Sequence, residues 1–294
     1  MPLTIGLIMH PRGDAQRLEE LRSVVARLRA DGHIVWPHLT FEPGDAVRLA
    51  RLAARAGADL VIAAGGDGTV NEVVNGIGRL RRPPRLGILP IGTGNDFALG
   101  LGIPQELVEA ARVAVSGRPR AIDVARVNDR LFVNVSSGGF GAEATEHTPG
   151  EAKRVLGALA YVVAGARELV VLHPVRGRFH VDGRRFFDGE FLLFAVGNGR
   201  RTGGGSLLTP RADVGDGLLD LVVVEAMPRL DFLALLPDLR AGTHLESPGV
   251  RYTRATSIVV APRAPLAVNA DGEPVRARRY HYTLWPLRLV VMAP

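Results

Sequence analysis

The eight residues Gly65-Gly66-Asp67-Gly68-Thr69-Val70-Asn71-Glu72 combine types that can hold an anion. They follow the apolar run Leu60-Val61-Ile62-Ala63-Ala64. A short β-rich run that opens into glycines, with a helical pattern behind it, is the layout of a phosphate-binding turn. Glycine lets backbone N–H groups come close to an anion and tolerates positive φ. Asp67 adds a carboxylate where Mg²⁺ would sit between phosphates. No Gly-Lys-Ser/Thr follows, so this is not a P-loop. Asp-Gly and Gly-Gly also mark ordinary turns, so partners elsewhere must decide the reading.

Three further stretches are candidates. Gly92-Thr93-Gly94-Asn95-Asp96 offers backbone donors, a hydroxyl and an amide to a nucleotide or headgroup phosphate, or else a loop that caps the next helix. From Gly197-Asn198-Gly199-Arg200 the chain runs through Gly203-Gly204-Gly205 to Asp213, Asp216 and Leu218. Two carboxylates and a backbone carbonyl make a hard-cation site of the Mg²⁺ or Ca²⁺ type, and a plain Asp-Gly turn is the alternative. Finally, Asn269-Ala270-Asp271-Gly272-Glu273 places two carboxylates on different sides of a tight turn. One could serve as general base toward a hydroxyl while the other holds its position or binds metal.

The elements that would position these groups divide near residue 121. Strands at 3–9, 33–36, 60–64 and 86–89 alternate with helices at 14–31, 45–56, 70–76 and 105–115, with Asp45 as an N-cap. This predicts an α/β domain with a doubly wound parallel sheet. Ligands bind outside the carboxyl ends of such strands, where both glycine turns lie. Short strands follow at 121–127, 131–137, 175–182, 189–196, 218–224, 256–261, 266–270 and 279–284, interrupted by helices at 151–171 and 229–241. They predict an antiparallel sheet domain. The domains expected are 1–120, rejoined by the apolar strand near 286–294, and 121–285.

Composition narrows the chemistry. Among 294 residues there is no cysteine, which removes disulfides, zinc thiolates and cysteine nucleophiles. The net charge is +6, and Lys153 is the sole lysine, so phosphates must rely on backbone, hydroxyls, arginine and metal. The basic balance suits nucleotide phosphate or an acidic membrane surface, or simply reflects arginine-rich composition. Aromatics are few and no basic stripe stands out, which argues against a nucleic-acid partner. The start, Met1 to Met9, reads as a strand and not a signal peptide. The longest apolar run, Val155 to Leu172, is broken by Arg167 and Glu168 and does not span a membrane.

Taken together, the four stretches resemble the diacylglycerol kinase-like lipid kinases, the bacterial type related to sphingosine kinases. The likeness rests on Gly66-Asp67-Gly68-Thr69 with Asn71-Glu72, on Pro90 with Gly92-Thr93 and Asn95-Asp96-Phe97-Ala98, on Gly197-Asn198-Gly199 with Asp216-Gly217-Leu218, and on Asp271-Gly272-Glu273. The resemblance implies a nucleotide-binding α/β domain, a β-sandwich, and a cleft between them for ATP and lipid. It implies ATP contacts at Thr40, Gly65, Gly66, Asp67, Gly68, Thr69, Asn71, Glu72, Gly92, Thr93 and Asn95. It implies Glu273 as proton acceptor with Asp271 beside it, Asp67 on the catalytic Mg²⁺, and a structural Mg²⁺ on Asp213, Asp216 and the Leu218 carbonyl. The protein would be cytoplasmic and would meet its lipid peripherally at a membrane surface, through Arg276, Arg278 and Arg279 or the helix at 155–171. Two positions depart from the family. His10-Pro11 replaces the usual Asn-Pro, which bears on nucleotide handling. Gly141 follows Gly139-Phe140 where a carboxylate is usual, which bears on substrate positioning. A kinase for a soluble hydroxyl compound such as NAD, and a non-catalytic lipid or nucleotide regulator, are the rival readings. The acceptor lipid and the oligomeric state are not legible in the sequence.

Overall fold

A computed structural model describes residues 1–10, 15–139 and 173–294. The chain forms two compact units, Met1–Val124 with Pro286–Pro294, and Ala125–Trp285. The helix read at 151–171 and the Phe140-Gly141 departure lie outside the described residues, as do Pro11 to Gly13.

In the first unit β1 (Thr4–Met9), α1 (Ala15–Ala30), β2 (Ile34–Leu39), α2 (Asp45–Arg55), β3 (Leu60–Gly65), α3 (Asp67–Ile77), β4 (Arg85–Pro90), α4 (Asp96–Gly100) and α5 (Leu107–Ser116) follow one another. β1, β3 and β4 are apolar on both faces because helices cover both sides of a parallel sheet. β2 lies at the edge, where Pro37 costs no ladder bond and half the strand faces water. The order is β2-β1-β3-β4, continued by β17 and β5. β5 (Arg118–Ile122) runs antiparallel to β17, so the sheet is mixed and not purely parallel. The strand order reverses between β1 and β3, where a doubly wound sheet opens its ligand crevice.

The second unit contains β6 (Ala125–Val127), β7 (Arg130–Phe132), β8 (Val135–Gly139), β9 (Val175–Val181), β10 (Arg184–Gly197) and β11 (Leu219–Glu225). After α6 (Arg229–Ala241) come β12 (Val250–Ala255), β13 (Ser257–Pro262), β14 (Leu266–Ala270), β15 (Glu273–Ala277) and β16 (Tyr280–Leu284). β17 (Leu289–Ala293) then returns to the first sheet between β4 and β5. The unit is the expected antiparallel, sandwich-like array. Its core is aromatic: Phe179 packs edge-to-face on Phe187, Phe191 and Phe194, and Phe132 on Tyr282. The fourteen-residue β10 pairs with β9 along its first half and with β8 and β11 along its second. Its ladder with β11 slips between Phe191 and Leu193. Phe191 and Phe194 thereby face the aromatic core, while Leu192, Leu193 and Ala195 pack under Phe232, Leu235, Leu236 and Leu239 of α6.

Several expected elements change. The single strand read at 121–127 is two strands in different sheets, β5 and β6. The strand read at 131–137 is broken after Phe132, because the N–H groups of Val133, Asn134 and Val135 bond a distant carboxylate and not a neighbouring strand. α3 begins at Asp67, three residues earlier than the apolar pattern shows. The N-cap of α2 is Gly44 in the left-handed region, not Asp45. The sequence pattern does not show α4, β12 or β15, the first for its brevity and β15 because its opening Asp-Gly-Glu reads as a turn.

Candidate active site

The two glycine turns of the first unit meet. β3 and β4 are neighbours with Gly65 opposite Pro90, and the Ile91 N–H donates to the Gly65 carbonyl at 3.1 Å. A Cβ on Gly92 would lie 2.5 Å from the Gly66 Cα, so glycine is required for the two backbones to touch. A Cβ on Gly65 would fall 2.2 Å from the Thr69 hydroxyl oxygen, so Thr69 folds back over its own turn. Asp67 locks the pair: its two carboxylate oxygens accept the N–H groups of Asp96 and Phe97 at 3.1 and 3.0 Å. A Cβ on Gly68 would meet nothing, and Gly68 and Thr93 are exposed. Glycine at 68 is therefore not needed for internal packing. It leaves an open face over the first turn of α3, whose N–H groups have no partner within the helix.

The other expected nucleotide residues are engaged inside the protein. Thr40 is buried, with its hydroxyl 2.8 Å from His10 Nδ1 and bonded to the Met9 carbonyl. His10, a departure in the sequence, is thus the partner of Thr40. Asn71 is fully buried and accepts from Asn75 Nδ2 at 3.1 Å. Glu72 Oε2 accepts the N–H groups of Gly44 and Ala46, both at 3.1 Å, so this carboxylate caps α2. Asn95, buried and at φ 51°, donates through Nδ2 to the Gly92 carbonyl and to Gln105 Oε1, which fixes the shape of the second turn. Asp45 takes the N–H groups of Phe41 and Glu42 and pairs with Arg48. The Phe41 bond, then Arg48 and Glu42, hold its carboxyl down at about 2.

In the second unit three distant stretches join. Asp271 sits at φ 48° and is buried; its carboxylate accepts the N–H groups of Val133, Asn134 and Val135 at 2.7, 3.0 and 3.1 Å. The N–H groups of Asn198 and Gly199 donate to the Asn134 carbonyl, and Asn198 Nδ2 donates to that of Val133. Segment 133–135 therefore ties the Gly197-Asn198-Gly199 turn to the Asp271-Gly272-Glu273 turn. No sequence signal marks it, because backbone groups make the bonds. Asp271 is consumed in holding this turn. Glu273, at the start of β15, is partly exposed, with Oε2 3.7 Å from Arg130 Nη2.

The expected structural-metal loop is more crowded than its sequence. Asp213 and Asp216 are exposed. Asp213 Oδ1 accepts the Gly215 N–H and Asp216 Oδ1 the Leu218 N–H, each at 3.0 Å. Asp216 Oδ2 pairs with the Arg254 guanidinium, which also lies 3.7 Å from Asp220 Oδ2. Asp220 is fully buried beside Tyr252, whose hydroxyl donates to it at 2.6 Å; burial pushes the Asp220 carboxyl up. Among the described residues no group of three or more His, Asp or Glu is arranged to hold a metal ion. The oxygen donors of Asp213 and Asp216 suit a hard cation by type, with Arg254 already on one of them.

Residues 4–127 match the family described as diacylglycerol kinase catalytic domain, and residues 134–293 match the YegS C-terminal NAD kinase beta sandwich-like domain. A protein of Chromohalobacter salexigens named probable lipid kinase YegS-like is 42% identical, over 96% of this chain and 91% of the relative. The chain belongs to the diacylglycerol kinase-like lipid kinases. It is an enzyme of the kinase class. The Bacillus subtilis diacylglycerol kinase is 37% identical, over 87% of this chain and 84% of that one. A crystal structure of a candidate diacylglycerol kinase from Bacillus anthracis superposes with a TM-score of 0.86 at 28% identity, covering 99% of this chain and 95% of that one. An NAD kinase of Archaeoglobus fulgidus solved with ATP shares the fold at a TM-score of 0.53 and 13% identity, covering 99% and 93%.

Proposed function

We propose that this kinase transfers the γ-phosphoryl group of ATP to a hydroxyl of a lipid of the diacylglycerol class. The observation that carries the nucleotide half is the backbone contact of Gly66 with Gly92, locked by Asp67 and open at Gly68. Phosphate oxygens would lie over the first turn of α3, with the Thr93 hydroxyl at the side. Both Asp67 oxygens retain lone pairs beyond their backbone bonds, so Asp67 can also face a magnesium ion. Mg²⁺ would there neutralise the β- and γ-phosphates; a second ion would be held by Asp213, Asp216 and the Leu218 carbonyl, in exchange for the Arg254 contact.

Glu273 accepts the proton as the lipid oxygen forms its bond to phosphorus and the bond from phosphorus to the ADP oxygen breaks. Positioning and electrostatics carry most of such a transfer. Among the described residues no helix is long and apolar enough to cross a membrane. The lipid would be met at a membrane surface, and Arg276, Arg278 and Arg279, all exposed on or just after β15, suit an anionic one.

Radiolabelled ATP offered with diacylglycerol, monoacylglycerol, a sphingoid base, phosphatidylglycerol and NAD tests this reading. Label is expected in a lipid, and Glu273→Gln should lower turnover by about 10²–10⁴-fold. Label in NAD alone, or ATP use independent of lipid, overturns it.

A further inference from the structure

We infer that Arg130 is a positioning residue for the base, an inference that rests on the assignment of Glu273 above. Asp271 and Glu273 flank Gly272 on one tight turn, with φ 48° at Asp271 and 91° at Gly272. A single stretch of chain reaches both carboxylates. The N–H groups of Val133 to Val135 hold Asp271, and Arg130, from β7 just before them, meets Glu273. The two contacts differ in kind. Asp271 is bonded from three sides and buried, so its carboxylate fixes the backbone. Glu273 and Arg130 each keep 35% of their side-chain surface in water. At 3.7 Å their contact is ionic and not a hydrogen bond. It restrains a flexible carboxylate near the place where a hydroxyl proton would be taken up, without tying it down by a hydrogen bond.

A half-exposed ion pair adds little to stability, so a structural role and a positioning role give different results. The test uses the full chain, Mg·ATP and whichever lipid the panel identifies. Arg130→Met is expected to lower kcat roughly tenfold to a hundredfold, part of the factor a general base supplies, with the KM for ATP and the thermal midpoint unchanged. Arg130→Lys should recover most of the loss. In a Glu273→Gln background, Arg130→Met should cost nothing further, because the group it steers is gone. Arg130→Gln serves the same cycle if the Met variant does not fold. A kcat within threefold of wild type for Arg130→Met, or the same fold-loss in both backgrounds, overturns the inference while leaving the base in place. Wild-type turnover in Glu273→Gln alone removes the base and Arg130 together.

Discussion

Asp67 shows how one side chain carries two duties. Its type and its place among glycines point to metal and phosphate. Its hydrogen bonds show that it first holds the second glycine turn against the first, through Asp96 and Phe97. Hydrogen bonds to a charged group are each worth about 1.5–3 kcal/mol. Asp67→Ala should therefore destabilise the first unit by at least about 1.5–3 kcal/mol, the worth of one of its two bonds, and raise the apparent KM for Mg·ATP. Denaturant unfolding and nucleotide titration of the same variant measure the two effects. Unchanged stability with a raised KM would assign Asp67 to the ligand alone. The same contrast runs through the other expected residues: Asn71 and Glu72 spend their side chains inside the protein, whereas Gly68 and Thr93 face out.

At the level of elements, the loop between β2 and α2 is held from two sides. Glu72 of α3 caps its end, and Asp45 binds the amides of Phe41 and Glu42. The Asp45 carboxyl is depressed to about 2, chiefly by the Phe41 N–H. A carboxylate with a lowered folded value contributes stability above its unfolded value, about 3.9, and loses it as the pH falls toward the folded one. The Phe41 and Glu42 amides should thus lose protection from hydrogen exchange between about pH 4 and pH 2, and Asp45→Asn should remove that dependence. Flat protection through this window would contradict the assigned bonds. The interruption between β7 and β8 has the same origin on a larger scale, since Asp271 draws three amides out of a ladder.

Across the whole molecule, the returning strand decides what can fold alone. β17 lies between β4 and β5, with Leu289, Val291 and Met292 buried. A fragment ending at Val124 would leave β4 and β5 without the strand that joins them. Residues 1–124 expressed alone should therefore lack a cooperative unfolding transition by circular dichroism. The same fragment joined through a short linker to residues 286–294 should regain one. A cooperative 1–124 fragment would show that β17 is dispensable.

Much of this protein is written locally. The apolar runs of β1, β3 and β4, the helical periods of α2 and α5, and the glycine-rich turns follow from side-chain spacing, because burial on both faces of a sheet and on one face of a helix leaves a short-range pattern. Residue type alone also nominated Asp67, Asp271 and Glu273. Contacts over 136 to 138 residues, from Asp271 to Val135, Asn134 and Val133, leave no such pattern, because the donors are backbone amides that every residue carries. Only the tertiary structure, likewise, separated β5 from β6, paired His10 with Thr40, and set Arg254 on Asp216, because partners 30 to 38 residues apart leave no short-range pattern either. It also divided the two carboxylates of one Asp-Gly-Glu turn, burying Asp271 under three amides and leaving Glu273 about a third in water beside Arg130.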